Sequence, residues 1–433
     1  MNLPYFIARR IAFSGKRTFS SIIIRFAIVA VALSVAVMII TSSLIAGFKS
    51  EISKKIFEFW GHIHIASVIT ESPTADAAPI ESNPAFLEIL RQSKFINYDE
   101  PEFILGFQTG DIKEKRTIGG IRHVQRFGLK PGIIRSKTAM EGIVLKGIGS
   151  DFDWEHLLPY LEEGRPIALS DTAASPEIII SRQTADRLQV GVNDKFIVHF
   201  VKNGAQTRRR FEVCGIYKTG LEEYDKKFAL CDLRQVQELL DWDSMQVAGF
   251  ELWLDDIHDL DIYNEYVNTE VIPTELTAAS IREKFPSIFE WLELQDLNEI
   301  VIIGLMLAVA IINMVTALLV LVLERTNMIG ILKALGEQNG RIRQVFLYHA
   351  AVITLNGMLW GNVIGIGICL LQSKFRFIRL NEADYYLSYA PVKFEWWTIL
   401  GINVGTLVIT LVFLLIPSLA ISKVAPVKAI RFR

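Results

Sequence analysis

The most compact constellation of functional residue types runs Glu324, Arg325, Thr326, Asn327, Met328, Ile329, Gly330, Ile331, Leu332, Lys333, Ala334, Leu335, Gly336. A short helix over this stretch would present Ile329, Leu332 and Lys333 to a partner, and Gly336 is suited to end it. The chemistry such a segment offers is docking, with a positively charged connecting turn as the competing reading. Signatures of bond-making chemistry are missing. No Gly-rich loop ends in Gly-Lys-Ser/Thr; Gly142, Gly147 and Gly149 surround Lys146 without that spacing and read as turns. There is no His-Glu-x-x-His and no Gly-x-Ser-x-Gly. His62 and His64 alternate on a strand and share a face, but two imidazoles without a close third ligand make a poor metal site. Cys214 and Cys231 lie in strand candidates read as neighbours and could form a disulfide, two buried thiols being the alternative. Cys369, in an uncharged tract, reads as a small apolar residue. No catalytic residue and no metal-ligand set emerges, so the chain is not expected to be an enzyme by itself.

The elements that position these residues are set by four tracts without Asp, Glu, Lys or Arg: Phe26 to Phe48, Ile300 to Leu323, Val345 to Ser373 and Trp396 to Ser422. Each exceeds the roughly 20 residues needed to cross a hydrocarbon core about 30 Å thick. The first is longer than the apolar stretch of about 7–15 residues in a cleaved signal peptide. With 51% hydrophobic and 21% charged residues the 433-residue chain is not of the disordered class. Its 45 Lys+Arg against 47 Asp+Glu give no bulk basic signal for nucleic acid.

That balance hides a segregated distribution. Residues 1–25 carry +5, the 324–344 loop +2, the tail 423–433 +4 and the 374–395 loop +1. These segments hold +12 in a chain of net −2, so residues 49–299 carry −14. By the positive-inside rule both termini and the 324–344 loop are expected in the cytoplasm, with the 49–299 insert and the short 374–395 loop outside. The expected fold is an α-helical membrane protein with four transmembrane helices (26–48, 300–323, 345–373, 396–422). A large extracytoplasmic α+β domain sits between helices 1 and 2.

Leu3, Phe6, Ile7 and Ile11 recur at helical spacing among Arg9, Arg10, Lys16 and Arg17, which suits an interfacial helix over residues 1–25, an ordinary positive flank being the alternative of equal weight. Beyond the first span Phe48, Ile52, Ile56 and Phe59 keep the helical period, as do Ile281, Phe285, Ile288, Phe289 and Leu292 before the second. The two extensions are expected to form helical stalks. Between them His62 to Ile69, Phe196 to Val201, Arg210 to Tyr217 and Phe228 to Cys231 read as strands, with a hairpin turn at Asn203–Gly204. Ser181 to Leu188 and Leu233 to Leu240 read as helices, and Glu71 to Pro84 as a loop. Within the membrane Gly357, Gly361 and Gly365 recur every four residues and permit close helix packing. Asn313, Thr316 and Asn403 are polar but uncharged, so no ion or proton relay is expected.

The 324–336 segment resembles the permease subunits of lipoprotein-releasing ABC transporters (the LolC/LolE family), within a wider FtsX-like and MacB-like superfamily that includes macrolide-exporter and cell-division permeases. The family form Glu-(Lys/Arg)-x-x-x-Ile-Gly-x-Leu-(Lys/Arg)-x-x-Gly is matched by Glu324, Arg325, Ile329, Gly330, Leu332, Lys333 and Gly336. The resemblance extends to Phe6, Ile7, Ala8 and Arg9, to Gly47, Phe48 and Glu51, to Gly61 through Ile65, to Gly215, Ile216 and Tyr217, and to Pro417, Ala420, Pro426 and Ala429.

It implies a type VII ABC permease-like fold in the bacterial inner membrane and a second permease subunit, identical or homologous. Two cytoplasmic ABC ATPase subunits would bind ATP and Mg, so no cofactor is expected on this chain. The 324–336 segment would couple to that ATPase. An acylated lipoprotein would occupy a cavity near Met38, Ile39, Ser42, Leu44, Ile45, Phe48, Leu305, Val309 and Ile312, and pass to a periplasmic carrier. A carrier-binding hook, found in one specialised family member, does not align here. The alternatives the resemblance leaves open are export of a small molecule or peptide, and non-transporting mechanotransmission that regulates a periplasmic hydrolase.

Overall fold

The computed structural model describes residues 19–69, 77–104, 107–135, 140–170, 173–202 and 205–419. The expected interfacial helix before residue 19, the Asn203–Gly204 turn, and Ala420, Pro426 and Ala429 lie outside them. In chain order α1 (Phe19–Trp60) leads into a strand-rich region containing α2 (Leu233–Leu240) and α3 (Ile281–Lys284). Then follow α4 (Pro286–Glu324), α5 (Thr326–Ala334), α6 (Asn339–Phe375) and α7 (Trp396–Ser418). Helices α1, α4, α6 and α7 are long and apolar enough to cross a membrane, where each backbone N–H and C=O must be satisfied internally. The large mixed α+β domain is inserted between the first and the remaining three. The chain divides into two compact units, one of residues 1–51, 290–380 and 388–433, the other of 52–289 and 381–387.

In the helical unit the glycine stripe of α6 meets α1. A Cβ on Gly357 would lie 2.7 Å from Val31 Cβ, one on Gly361 2.7 Å from the Ala32 carbonyl oxygen, and one on Gly365 3.2 Å from Ile39 Cβ. Only hydrogen fits at the first two positions. Gly361→Leu is therefore expected to lower the melting temperature of the full chain in detergent, at a cost of about 1–3 kcal/mol from overpacking. Gly367→Leu on the same helix, where a Cβ would meet nothing within 4 Å, should leave it unchanged. Equal melts for the two variants would contradict this packing.

Helices α6 and α7 are joined by a reciprocal amide pair. Asn362 Nδ2 donates to Asn403 Oδ1 at 2.7 Å, and Asn403 Nδ2 donates to Asn362 Oδ1 at 3.0 Å. Interhelical bonds of this kind hold helices where water cannot compete. The segment between α6 and α7 folds back on α1. Lys393 N donates to the Ser43 carbonyl at 3.0 Å, and Gly47 lies so close that a Cβ would be 2.5 Å from the Pro391 oxygen.

The strand-rich unit begins with β1 (Ile63–Ser67), β2 (Ile80–Glu81), β3 (Asn97–Ile104) and β4 (Phe107–Arg116). It continues with β5 (Ile121–Arg135), β6 (Met140–Ile148), β7 (Leu161–Gly164), β8 (Glu177–Ser181) and β9 (Lys195–Lys202). The last strands are β10 (Ala205–Tyr217), β11 (Phe228–Asp232), β12 (Gln246–Val247), β13 (Gly249–Leu254) and β14 (Leu276–Ser280). The main sheet runs β14-β1-β13-β5-β6-β11-β8-β10-β7, and β9 pairs with both β10 and β5. Strands β5, β6, β11, β8, β10 and β9 therefore close into a ring around a core that includes Leu145, Ile178, Val198, Phe200, Phe211 and Val213. The 15-residue β5 belongs to two lobes, pairing β13 through residues 121–127 and β6 through 127–135.

Two expectations change here. Gly142 and Gly147 are not turn residues but lie inside β6, and Gly147 pairs with Gly128 of β5. The Gly128–Gly147 pair makes the seat of α2, since a Cβ at either would come within 2.8 Å of Leu233. Cys214 and Cys231 are free and buried, on strands β10 and β11 that are not neighbours. Strand β8 runs between them, and two strand spacings of about 4.8 Å exceed the ~7 Å Cα limit for a disulfide. Cys214 Sγ instead donates to the Ile178 carbonyl of β8 at 3.5 Å, and burial pushes its thiol up to about 12.

Candidate functional site

The 324–336 segment does form a helix with a glycine stop. Helix α4 ends at Glu324, Arg325 leaves helical geometry (φ −99°, ψ 17°), and α5 runs Thr326–Ala334. At its end Gly336 takes φ +86°, Gly336 N donates to Lys333 O at 3.0 Å and Glu337 N to Leu332 O at 3.0 Å. These are the two bonds of a Schellman cap, whose left-handed residue strongly favours glycine.

The face presented differs from the expected one. Ile329 is fully buried, in a cluster with Leu321, Ile342, Val345 and Phe346. Gly330 is buried as well, while Leu332 and Lys333 are half-buried. The outward residues are Ile331, 51% exposed, and Leu335, 79% exposed, four residues apart on one helix face. Glu324 and Gly336 are also exposed, and Arg325 is half-buried. Ile329 therefore anchors the segment, and Ile331 with Leu335 forms its exposed apolar edge. Both sets recur at helical spacing in the sequence, so periodicity alone does not separate them.

The residues expected around a lipoprotein cavity separate as well. Leu305, Val309 and Ile312 lie on one exposed face of α4. Leu44, Ile45 and Phe48 are half-buried on α1. Met38 and Ile39 belong to the interhelical core and Ser42 is buried, so these three line no open surface of the chain. Ile39 lies against the α6 glycine stripe, where a Cβ on Gly365 would be 3.2 Å from its Cβ.

The strand-rich unit contains a buried polar network that sequence reading missed. Lys146 Nζ lies 2.7 Å from Glu251 Oε1, with both side chains 1% exposed. Gln125 Nε2 donates to Glu251 Oε2 at 2.8 Å, and Asp153 N donates to Gln125 Oε1 at 3.2 Å. His64 bridges the two ends of the unit's chain: its Nε2 donates to the Trp60 carbonyl at 2.5 Å, and its Nδ1 accepts from Lys284 Nζ at 2.9 Å. Those partners fix the neutral Nε2–H tautomer.

Burial, then Lys284 and Lys146, hold the His64 imidazole well below its usual range. Burial also lowers the Lys284 ammonium to about 8, against the opposing pull of Glu251. The Lys146 ammonium sits 4.7 Å from the centre of the Trp60 ring, which adds a cation–π contact. His62, expected to share a role with His64, has its own: its Nδ1 accepts from Leu254 N at 2.6 Å, and burial lowers it to about 4. Among the described residues no group of three or more His, Cys, Asp or Glu could hold a metal ion. The network lies on β1, β5, β6, β13 and α3, and its pairs form only when the sheet register brings His64 opposite Glu251. A local signal was His64 itself, an imidazole between Ile63 and Ile65 on β1.

Comparison with known proteins covers the chain from end to end. The model of the MacB-like periplasmic core domain matches residues 26–264, and that of the FtsX-like permease C-terminal matches residues 300–426. The lipoprotein-releasing system transmembrane protein LolE of Haemophilus influenzae is 25% identical, the alignment covering 99% of this chain and 99% of that protein. Lipoprotein-releasing system transmembrane protein LolC of Xylella fastidiosa strain 9a5c is 22% identical over 100% of this chain and 98% of that one. LolC of Neisseria meningitidis serogroup B is 24% identical, with 100% and 99% covered. The four membrane helices, the inserted α+β domain and these matches agree, and the chain belongs to the LolC/LolE-type FtsX/MacB permease family.

Proposed function

We propose that the chain is the membrane subunit of an ATP-driven transporter that takes acylated lipoproteins from the outer leaflet of the inner membrane and delivers them to a periplasmic carrier. The observation that carries this reading is end-to-end similarity to proteins named as lipoprotein-releasing system components. Physical chemistry supports the need for such a machine, since each CH₂ moved from lipid into water costs about 0.8 kcal/mol.

In this reading both termini and the 324–344 loop are cytoplasmic, and residues 49–299 and 374–395 are periplasmic. Helix α5 seats on a cytoplasmic ABC ATPase through Ile331 and Leu335, with Glu324, Arg325 and Lys333 around them. That partner's ATP and Mg supply the free energy. A second permease subunit, identical or homologous, completes the pathway, and the exposed α4 face at Leu305, Val309 and Ile312 contacts the acyl chains. His64 ties the Trp60 end of α1 and Lys284 of α3 to the sheet within the strand-rich unit.

The test is purification of the full chain in mild detergent with mass spectrometry of everything retained. A soluble P-loop ATPase together with acylated polypeptides is the expected result. An ATPase with a cell-wall hydrolase and no acylated polypeptide would replace transport by mechanotransmission.

A further inference from the structure

The α1–α6 contact creates a groove that the transport reading does not use. Because Gly357 and Gly361 let α1 sink onto α6, the large side chains of both helices stand along the rims of the contact, with Val29 and Leu33 on one side and Trp360 and Ile364 on the other. All four are exposed, and between them runs a groove of about 470 Å³ with Ala32 in its lining. Among the described residues its lining is apolar except at one end, where Arg25 supplies the charged side chain. Arg25 is exposed and stands one residue before the uncharged tract that begins at Phe26.

We propose that this groove binds one membrane glycerophospholipid, with its phosphate on Arg25 and an acyl chain along Val29, Leu33, Trp360 and Ile364. The order of chemistry along the groove identifies the ligand class. A guanidinium at the headgroup boundary offers forked N–H donors that match phosphate oxygens bidentately. The eight helical steps from Arg25 to Leu33 rise about 12 Å into the hydrocarbon, a depth at which only an apolar chain is accommodated. A soluble anion has no use for the trench, and an apolar solute has none for the arginine. The Trp360 ring adds a rigid wall against which a chain can lie. By the topology proposed above this lipid belongs to the cytoplasmic leaflet, opposite the one from which lipoproteins are drawn, so it is a resident component and not the cargo.

The experiment is native mass spectrometry and lipid extraction on the full chain after prolonged washing in mild detergent. About one phospholipid per chain should survive, and Arg25→Gln should reduce the retained amount at least fivefold. Leu33→Trp, which fills the trench from an exposed position, should reduce it as much, while Leu400→Trp on the exposed face of α7 should not. Melting temperatures equal to the parent's would show that the variants fold. The proposal is overturned if the parent retains no phospholipid, if neither Arg25→Gln nor Leu33→Trp lowers retention, or if the retained molecule is a free fatty acid. A Val29→Cys variant that forms a disulfide between two copies through this groove would also overturn it.

Discussion

Replacing Glu251 with alanine is expected to destabilise the strand-rich unit by about 3–5 kcal/mol, because it strands a buried ammonium group without its counter-charge. Lys146 is 1% exposed and pairs with Glu251 at 2.7 Å. The loss does not stop there, since Gln125 loses its acceptor and Lys284 loses the carboxylate that favours its charged form. Removing both members of the pair should behave differently. A Lys146→Met, Glu251→Leu variant restores volume without charge, and replacement of a buried ion pair in this way is commonly neutral or stabilising. Thermal unfolding of the full chain in detergent, with hydrogen exchange along β1 and β13, reads both outcomes. A single variant costing under about 1 kcal/mol, or a double variant no better than the single, would remove the network from the account of stability.

The second large effect is expected at the docking edge. Ile331→Asp with Leu335→Asp should weaken attachment of the ATPase at least about thirtyfold, the equivalent of about 2 kcal/mol for loss of a central apolar anchor. The chain itself should remain folded, because both residues are exposed and the Schellman cap at Gly336 is untouched. Ile329→Asp should fail in another way. It places a carboxylate among Leu321, Val345 and Phe346 and should lower the melting temperature of the chain. Pull-down of the ATPase against variant concentration, beside thermal melts, separates the two mechanisms. Undiminished attachment by the Ile331/Leu335 variant would show that this edge is not the docking surface.

What the sequence conveyed and what it withheld follow physical lines. Long uncharged tracts and the sign of their flanks are imposed by lipid and membrane potential, so the four helices and the inserted domain were legible. Strands β10 and β11 and helix α2 were legible because their periodicity is local. The ring closure was not, since it depends on one long strand, β5, pairing different partners along its length. For the same reason Cys214 and Cys231 looked adjacent although β8 lies between them. In α5 two apolar sets, Ile329 with Leu332 and Ile331 with Leu335, fit one helix, and only the ends of α4 and α6 decide which is covered. Asn403 was visible as a polar residue in an apolar tract, but its partner Asn362 is set by helix packing. Most of the candidate site was therefore present as residue types, while its orientation was tertiary.

The most direct test of the central claim is release measured in proteoliposomes that contain the full chain, its ATPase, any second permease subunit and a fluorescently labelled triacylated lipoprotein. With ATP, Mg and a soluble carrier in the outer-leaflet compartment, labelled lipoprotein should leave the membrane and appear on the carrier, and the Ile331/Leu335 variant should abolish the transfer. ATP hydrolysis without any transfer of acylated protein, in vesicles where all components are shown to be assembled, would contradict the lipoprotein-release account.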